Sequence, residues 1–323
     1  MISSKIEQYT DYYETLKKEL RWKAFDNLVI MNTASIYVMN GRTLDTARFL
    51  ELAEQLKKRS GMFSAMSSHP RFTMAGMLDA SLEDPEAAVP ELFRVYQMLK
   101  DHNFRSGAST YMAAFTVMKN AAPPEETARR TMDLFQKMKK EHPMLTDAND
   151  YPLAVLLAME KESDMAARIE TCYDALKREG LTSGNSLQFL SHILTLGSGG
   201  QPQQAAGRAA EVLDKWKRTG LKAKPMYYPV LGMMALLPEE SLDLEAVRDT
   251  AAQLNRTKAF KWSKDMNVLA AASFFVSDNM EEGSLAETGL YTSVEAIIQA
   301  QQTAMIAAVS AGAAASAAAN SAN

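Results

Sequence analysis

The residues with the widest chemical scope in this chain are four histidines, a single cysteine and one cluster of glycines. A metal centre would need three or four His, Cys or carboxylate ligands at close spacing. His69, His102, His142 and His192 are scattered, and none stands in a His-Glu-x-x-His frame. His102 and His142 fall where a helix should close, a place that suits a cation near free carbonyls. Cys172 and the pair Ser191-His192 could in principle supply a nucleophile and a base. Cys172, however, adjoins Tyr173 on an apolar helix stripe, where a free thiol behaves as a small hydrophobe. Gly197-Ser198-Gly199-Gly200 lacks the Gly-Lys-Ser/Thr ending of a phosphate loop and follows a helical pattern instead of a strand. Acidic runs such as Glu160-Lys161-Glu162-Ser163-Asp164 have the look of solvated helix ends. No catalytic, metal or cofactor-binding residue is nominated, and no cofactor is expected.

The elements that would have to position such groups repeat. The clearest copy runs from Pro124 to Lys161, PEETARRTMDLFQKMKKEHPMLTDANDYPLAVLLAMEK. Proline with Glu125 and Glu126 suits a first helical turn. Ala128, Met132, Phe135 and Met138 share one face, and Lys137, Lys139 and Lys140 close the helix. A turn containing Pro143, Asp147, Asn149 and Asp150 follows. Tyr151 to Met159 is then almost wholly apolar, the mark of a buried helix.

Copies align on the apolar residue before a closing lysine: Leu16, Leu56, Leu99, Met138, Leu176, Trp216 and, weakly, Thr257. The intervals are 40, 43, 39, 38, 40 and 41 residues. Columns not used to build this register agree with it. Pro85, Pro124 and Pro202 each stand fourteen residues before an anchor, and Tyr13, Ala53, Tyr96, Phe135, Tyr173, Leu213 and Leu254 stand three before. Second helices are predicted over 27–39, 72–80, 111–119, 151–159, 187–196, 227–237 and 266–276. A period near forty residues signals stacked helical pairs. The expected fold is therefore all-α: about seven stacked hairpins, α-solenoid-like, over residues 1–283 without an internal linker. A C-terminal helix within 284–309 should pack on the last hairpin, near Phe274 and Phe275 or back in the concave groove. An Ala/Ser-rich tail over 310–323 should be disordered.

The composition, 47% hydrophobic and 23% charged with a formal charge of −4, is that of an ordinary globular protein and argues against a general nucleic-acid binder. One cysteine allows no internal disulfide, and the amphipathic opening is not a signal peptide, so a cytoplasmic location is expected. No stretch has the pattern of a transmembrane span. Twenty-one methionines imply either a flexible core or an adaptable binding surface, and the core is favoured. Met77, Met112, Met118, Met159, Met233 and Met234 are expected in that core.

Two stretches carry a family resemblance: Tyr13-Glu14-Thr15-Leu16-Lys17-Lys18-Glu19-Leu20 with Trp22, and Glu295-Ala296-Ile297-Ile298-Gln299-Ala300-Gln301-Gln302 before Met305-Ile306-Ala307-Ala308. Together they resemble a bacterial all-helical family catalogued as domain-of-unknown-function family 4003. The resemblance spans nearly the whole chain, implies a stand-alone helical protein, and brings no catalytic residues with it.

Function therefore follows from architecture. The expectation is a non-catalytic repeat protein that presents a surface to another protein or peptide, with Lys57, Lys100, Lys139, Lys177 and Lys217 in one row. Each of these lysines is expected first to complement its own helix end, and the competing account has the row steer an acidic partner. The alternative functions are an enzyme or small-ligand binder with a pocket between hairpins and, less favoured, a single-strand RNA binder.

Overall fold

In the computed structural model of the chain, residues 2–21, 27–61, 64–67, 69–120, 123–160 and 164–281 are described. They contain fourteen α-helices and no strand. In chain order these are α1 (Ile2–Leu20), α2 (Asn27–Met39), α3 (Thr46–Arg59), α4 (Pro70–Ser81), α5 (Pro85–Asp101), α6 (Ala108–Lys119), α7 (Pro124–Glu141), α8 (Tyr151–Met159), α9 (Met165–Arg178), α10 (Asn185–Gly197), α11 (Pro202–Arg218), α12 (Tyr228–Leu236), α13 (Leu244–Arg256) and α14 (Lys264–Glu281). The C-terminal helix and tail expected over 284–323 lie outside the described residues.

Local chemistry sets the boundaries. Pro85, Pro124 and Pro202 each open a helix, where the missing N–H costs nothing. Asp45, Asp84 and Asp243 cap α3, α5 and α13 by accepting backbone N–H bonds at 3.0–3.1 Å. The last turns of α1, α3, α5, α7, α9 and α11 all carry lysine. Even-numbered helices are buried nearly all round: every residue of α8 from Tyr151 to Ala158 is buried.

The repeat register is visible in burial. Leu16, Leu56, Leu99, Met138, Leu176 and Trp216 are all buried, as are the residues four before them: Tyr12, Leu52, Val95, Leu134, Cys172 and Val212. The seventh copy corrects the register. Thr257 is the residue after α13, and Leu254, three residues earlier, is the buried equivalent of the anchors. Lys258 thus falls outside its helix.

The chain divides into two compact units, one within residues 3–125 and one within 126–281. In the first, α3 packs on α4 and α5 on α6, while α2 meets α4 and α3 meets α5. In the second, α9 packs on α10 and α13 on α14. Neighbouring hairpins there meet through α8 with α10, α9 with α11, α10 with α12 and α12 with α14. Leu134 and Met138 of α7 join Ala154 and Leu157 of α8 and Met165 and Ile169 of α9 in one cluster. The approach of α10 to α12 is close enough to require glycine: a Cβ on Gly232 would lie 2.5 Å from Leu190 Cδ1, and one on Gly197 would collide with Leu236.

Side-chain hydrogen bonds recur at nearly the repeat length. In the first unit Tyr37 Oη donates to Asp79 Oδ2 at 2.6 Å, and Ser64 Oγ lies 3.2 Å from Tyr111 Oη. In the second, Gln188 Nε2 donates to Thr146 Oγ1 at 2.8 Å and the Thr182 N–H to Tyr228 Oη at 3.1 Å. Lys224 Nζ and Tyr227 Oη both donate to Asp265, at 2.6 and 2.7 Å. The turns α7–α8, α9–α10 and α11–α12 are thereby tied to the starts of α10, α12 and α14.

Candidate functional site

A buried polar cluster lies in the second unit, where the turn between α7 and α8 meets α9 and α10. Asp147 and Asp150 form a capping box at the entry to α8: Asp147 accepts the Asn149 N–H at 2.8 Å, and Asp150 Oδ2 accepts the Asp147 N–H at 2.9 Å. This fold-back drives the Asp150 side chain inward. Its other oxygen lies 3.9 Å from Nδ1 of His192, a fully buried residue of α10. That distance is too long for a hydrogen bond. Neither ring nitrogen of His192, nor Oε1 of the adjacent buried Gln188, has a hydrogen-bond partner among the described protein atoms.

Burial decides the charge states. Desolvation pushes the Asp150 carboxyl up to about 7 and the His192 imidazole down to about 3, with nearby His142 adding to the latter. At neutral pH His192 is thus an uncharged ring. His142, after the end of α7, pairs through Nε2 with Glu170 Oε2 at 2.9 Å, and its ring lies against Tyr173 with centroids 4.5 Å apart. It does more than complement a helix end, since it couples α7 to α9. His102 fits the simpler expectation, with Nδ1 3.0 Å from the Met98 carbonyl at the end of α5. His69 precedes α4 and makes no side-chain cap.

Nucleophilic chemistry finds no geometry here. Ser191 Oγ donates to its own helix, at the Gln188 carbonyl 2.7 Å away. Cys172 is fully buried, and desolvation pushes its thiol up to about 12, so the thiolate is absent at physiological pH. Gly199 and Gly200 make a left-handed turn between α10 and Pro202. No group of three or more His, Cys, Asp or Glu side chains among the described residues could hold a metal ion.

The lysines named from the sequence are divided between the units. Lys57 and Lys100 belong to the first, Lys139, Lys177 and Lys217 to the second. Lys57, Lys177 and Lys217 are exposed, Lys100 and Lys139 half-buried. Several have local partners. Lys100 and Lys177 each sit 5.8 Å from the ring centre of the tyrosine one turn earlier, Tyr96 and Tyr173, as Lys17 does at 5.2 Å over Tyr13. Lys217 pairs with Asp214 at 3.0 Å.

Sequence reasoning missed a polar node in the first unit. Asp79 of α4, buried at 1% exposure, accepts the Tyr37 hydroxyl of α2 and forms an ion pair with Arg48 of α3. The signal was available: Asp79 is the lone carboxylate in the apolar run Phe72–Ala80, and a buried charge requires a partner. Among the methionines, Met77, Met112, Met233 and Met234 are buried, whereas Met118 and Met159 are only half-buried. Met144, Met226 and Trp262, not singled out from the sequence, are exposed at 91%, 40% and 87%.

No helix of the described residues is long and apolar enough to cross a membrane. No solved structure matches the chain. It is 33% identical over 313 residues to the uncharacterized protein YeaA of Bacillus subtilis (strain 168), with 95% of this chain and 94% of that protein covered. The model of one family matches residues 12–303, over all but the first and last stretches of the chain. The alternating buried and half-buried helices described above are thus the architecture of a bacterial family that carries no assigned activity, and this chain belongs to that family, described as Protein of unknown function (DUF4003).

Proposed function

We propose that the chain is a non-catalytic helical-repeat protein, an α-solenoid of seven hairpins whose exposed helix faces bind another protein or peptide. The supporting observation is the set of side-chain hydrogen bonds at nearly the repeat length, which link one hairpin to the next as nearest-neighbour stacking requires. Such stacks offer extended surfaces built from equivalent positions. The cations at Lys57, Lys100, Lys139, Lys177 and Lys217 would steer an acidic partner toward that surface from solution.

The test is affinity purification of the tagged full-length chain from its own cells, followed by binding kinetics with the recovered protein. A stoichiometric protein partner is expected, with an association rate that falls as salt rises. Lys→Glu at Lys57, Lys100 and Lys177 should slow association and flatten that salt dependence. Recovery of a metabolite without a protein would overturn the proposal. That outcome would favour a small-ligand binder instead, for which the unpartnered polar atoms of His192 and Gln188 are the supporting observation.

A further inference from the structure

Among the described residues, the exposed large hydrophobic side chains are Met144, Met226 and Trp262. All three belong to one class of position. Met144 lies in the turn between α7 and α8, Met226 in the turn between α11 and α12, and Trp262 in the turn between α13 and α14. These turns follow one another along one edge of the second unit, because the contacts that tie them run in series: Thr146 to Gln188, Thr182 to Tyr228, then Lys224 and Tyr227 to Asp265. Nothing in a helical stack needs an indole at 87% exposure on a turn.

The same edge is cationic. The spans 137–147, 177–184, 215–227 and 256–265 hold fourteen Lys and Arg against four Asp and Glu, in a chain of formal charge −4. Lys215, Lys217 and Lys224 are paired with Glu239, Asp214 and Asp265. Others are open to solvent, above all Lys258, Lys261 and Lys264 around Trp262, with Lys261 Nζ 5.1 Å from the indole centre. The apolar side chains protrude singly from turns, and Trp262 stands in a stretch of exposed lysines. A folded partner would have to supply matching pockets. A fluid acidic interface needs none, since indole settles at the headgroup level and lysines approach the anionic lipids around it.

We propose that the turn edge of the second unit is a peripheral membrane-docking surface for anionic lipid bilayers, with Trp262 and Met144 as shallow apolar anchors and Lys258, Lys261 and Lys264 as headgroup contacts. This goes beyond the scaffold function and does not depend on it.

The experiment is co-sedimentation of the full-length protein with vesicles of pure phosphatidylcholine and with vesicles of equal parts phosphatidylcholine and phosphatidylglycerol, at low and high salt. Binding should occur on the anionic vesicles, be absent from the neutral ones, and weaken as salt shortens the screening length. Indole emission should shift to the blue on binding. Lys258→Gln, Lys261→Gln and Lys264→Gln should each weaken partitioning about fivefold. Trp262→Ser and Met144→Ser, at positions too exposed to disturb folding, should reduce it too, and Trp262→Ser should abolish the emission shift. Equal binding to both vesicles, no binding at low salt, or unchanged binding by these variants would overturn the proposal. So would capture of a glutamate-rich peptide or a uridine oligonucleotide by this edge in the absence of vesicle binding.

Discussion

Replacing Asp150 by asparagine should make the stability of this region depend on pH. The carboxyl is held near 7 in the folded chain against 3.8 for an unperturbed group. A raised carboxyl pKa favours the folded state fully only below 3.8, and that advantage is lost as pH rises toward 7. One pKa unit corresponds to 1.36 kcal/mol, so the loss amounts to about 4 kcal/mol. His192 acts in the opposite direction. Held near 3 against 6.5, it stays neutral in the fold while the unfolded chain protonates, so it destabilises as pH falls below 6.5. Between these limits the two slopes, each about 1.4 kcal/mol per pH unit, cancel. Asp150→Asn keeps an oxygen for the Asp147 N–H and removes one slope. Its stability relative to the parent should therefore climb by about 4 kcal/mol between about pH 4 and pH 7. His192→Leu should do the reverse and leave a chain that weakens steadily over the same interval. Urea unfolding followed by far-UV circular dichroism, at both ends of the interval, measures each difference. A constant offset between parent and Asp150→Asn would mean that the carboxylate is ionised and solvated in the fold, and the burial reasoning would fail.

Asp79→Ala, which leaves the buried Tyr37 hydroxyl without its acceptor and releases Arg48, a side chain 41% exposed, should cost about 1–3 kcal/mol, whereas Tyr37→Phe, which leaves Asp79 its pair with Arg48, should cost less, about 0.5–1.5 kcal/mol. Urea unfolding of both variants checks the order. Gly232→Ala adds only a methyl group, yet should cost about 1–3 kcal/mol because Leu190 already fills the space. The more exposed Gly207, with nothing near its Cβ position, serves as the control in the same melting experiment. Met233→Ala should cost about 2–5 kcal/mol and half-buried Met159→Ala clearly less.

The first- and second-helix pattern was legible because it rests on chemistry local to the chain. Proline at the first turn, lysine at the last and an apolar nonapeptide such as Tyr151–Met159 each act within a few residues, and the boundaries of α2 and α8 were readable to the residue. The seventh anchor was displaced because Lys258 imitates the closing lysine of other copies. Only burial reveals that α13 has already ended and that Leu254 holds the core position. Met159 was placed too deep for a related reason: periodicity gives a face, but the last residue of a short helix projects past its neighbours. The Asp79 and Asp150 environments depend on partners roughly one repeat away or on a capping box that turns a side chain inward. Neither is encoded in spacing. The exposed Trp262 was equally hidden, since an aromatic beside buried Phe260 looks like core until the turn places it outside.

Ties between adjacent hairpins also bear on how the chain is assembled in time. The hydrogen bonds that stitch the turns span 38 to 47 residues, so an emerging hairpin finds its partner in the one synthesised just before it. Closing a loop of that size costs little more than closing one half as long. Contacts of such short range are the kind that pair early in folding. Within the second unit the ladder is ordered from neighbour to neighbour, so that each tie forms between a hairpin and the one made just before it.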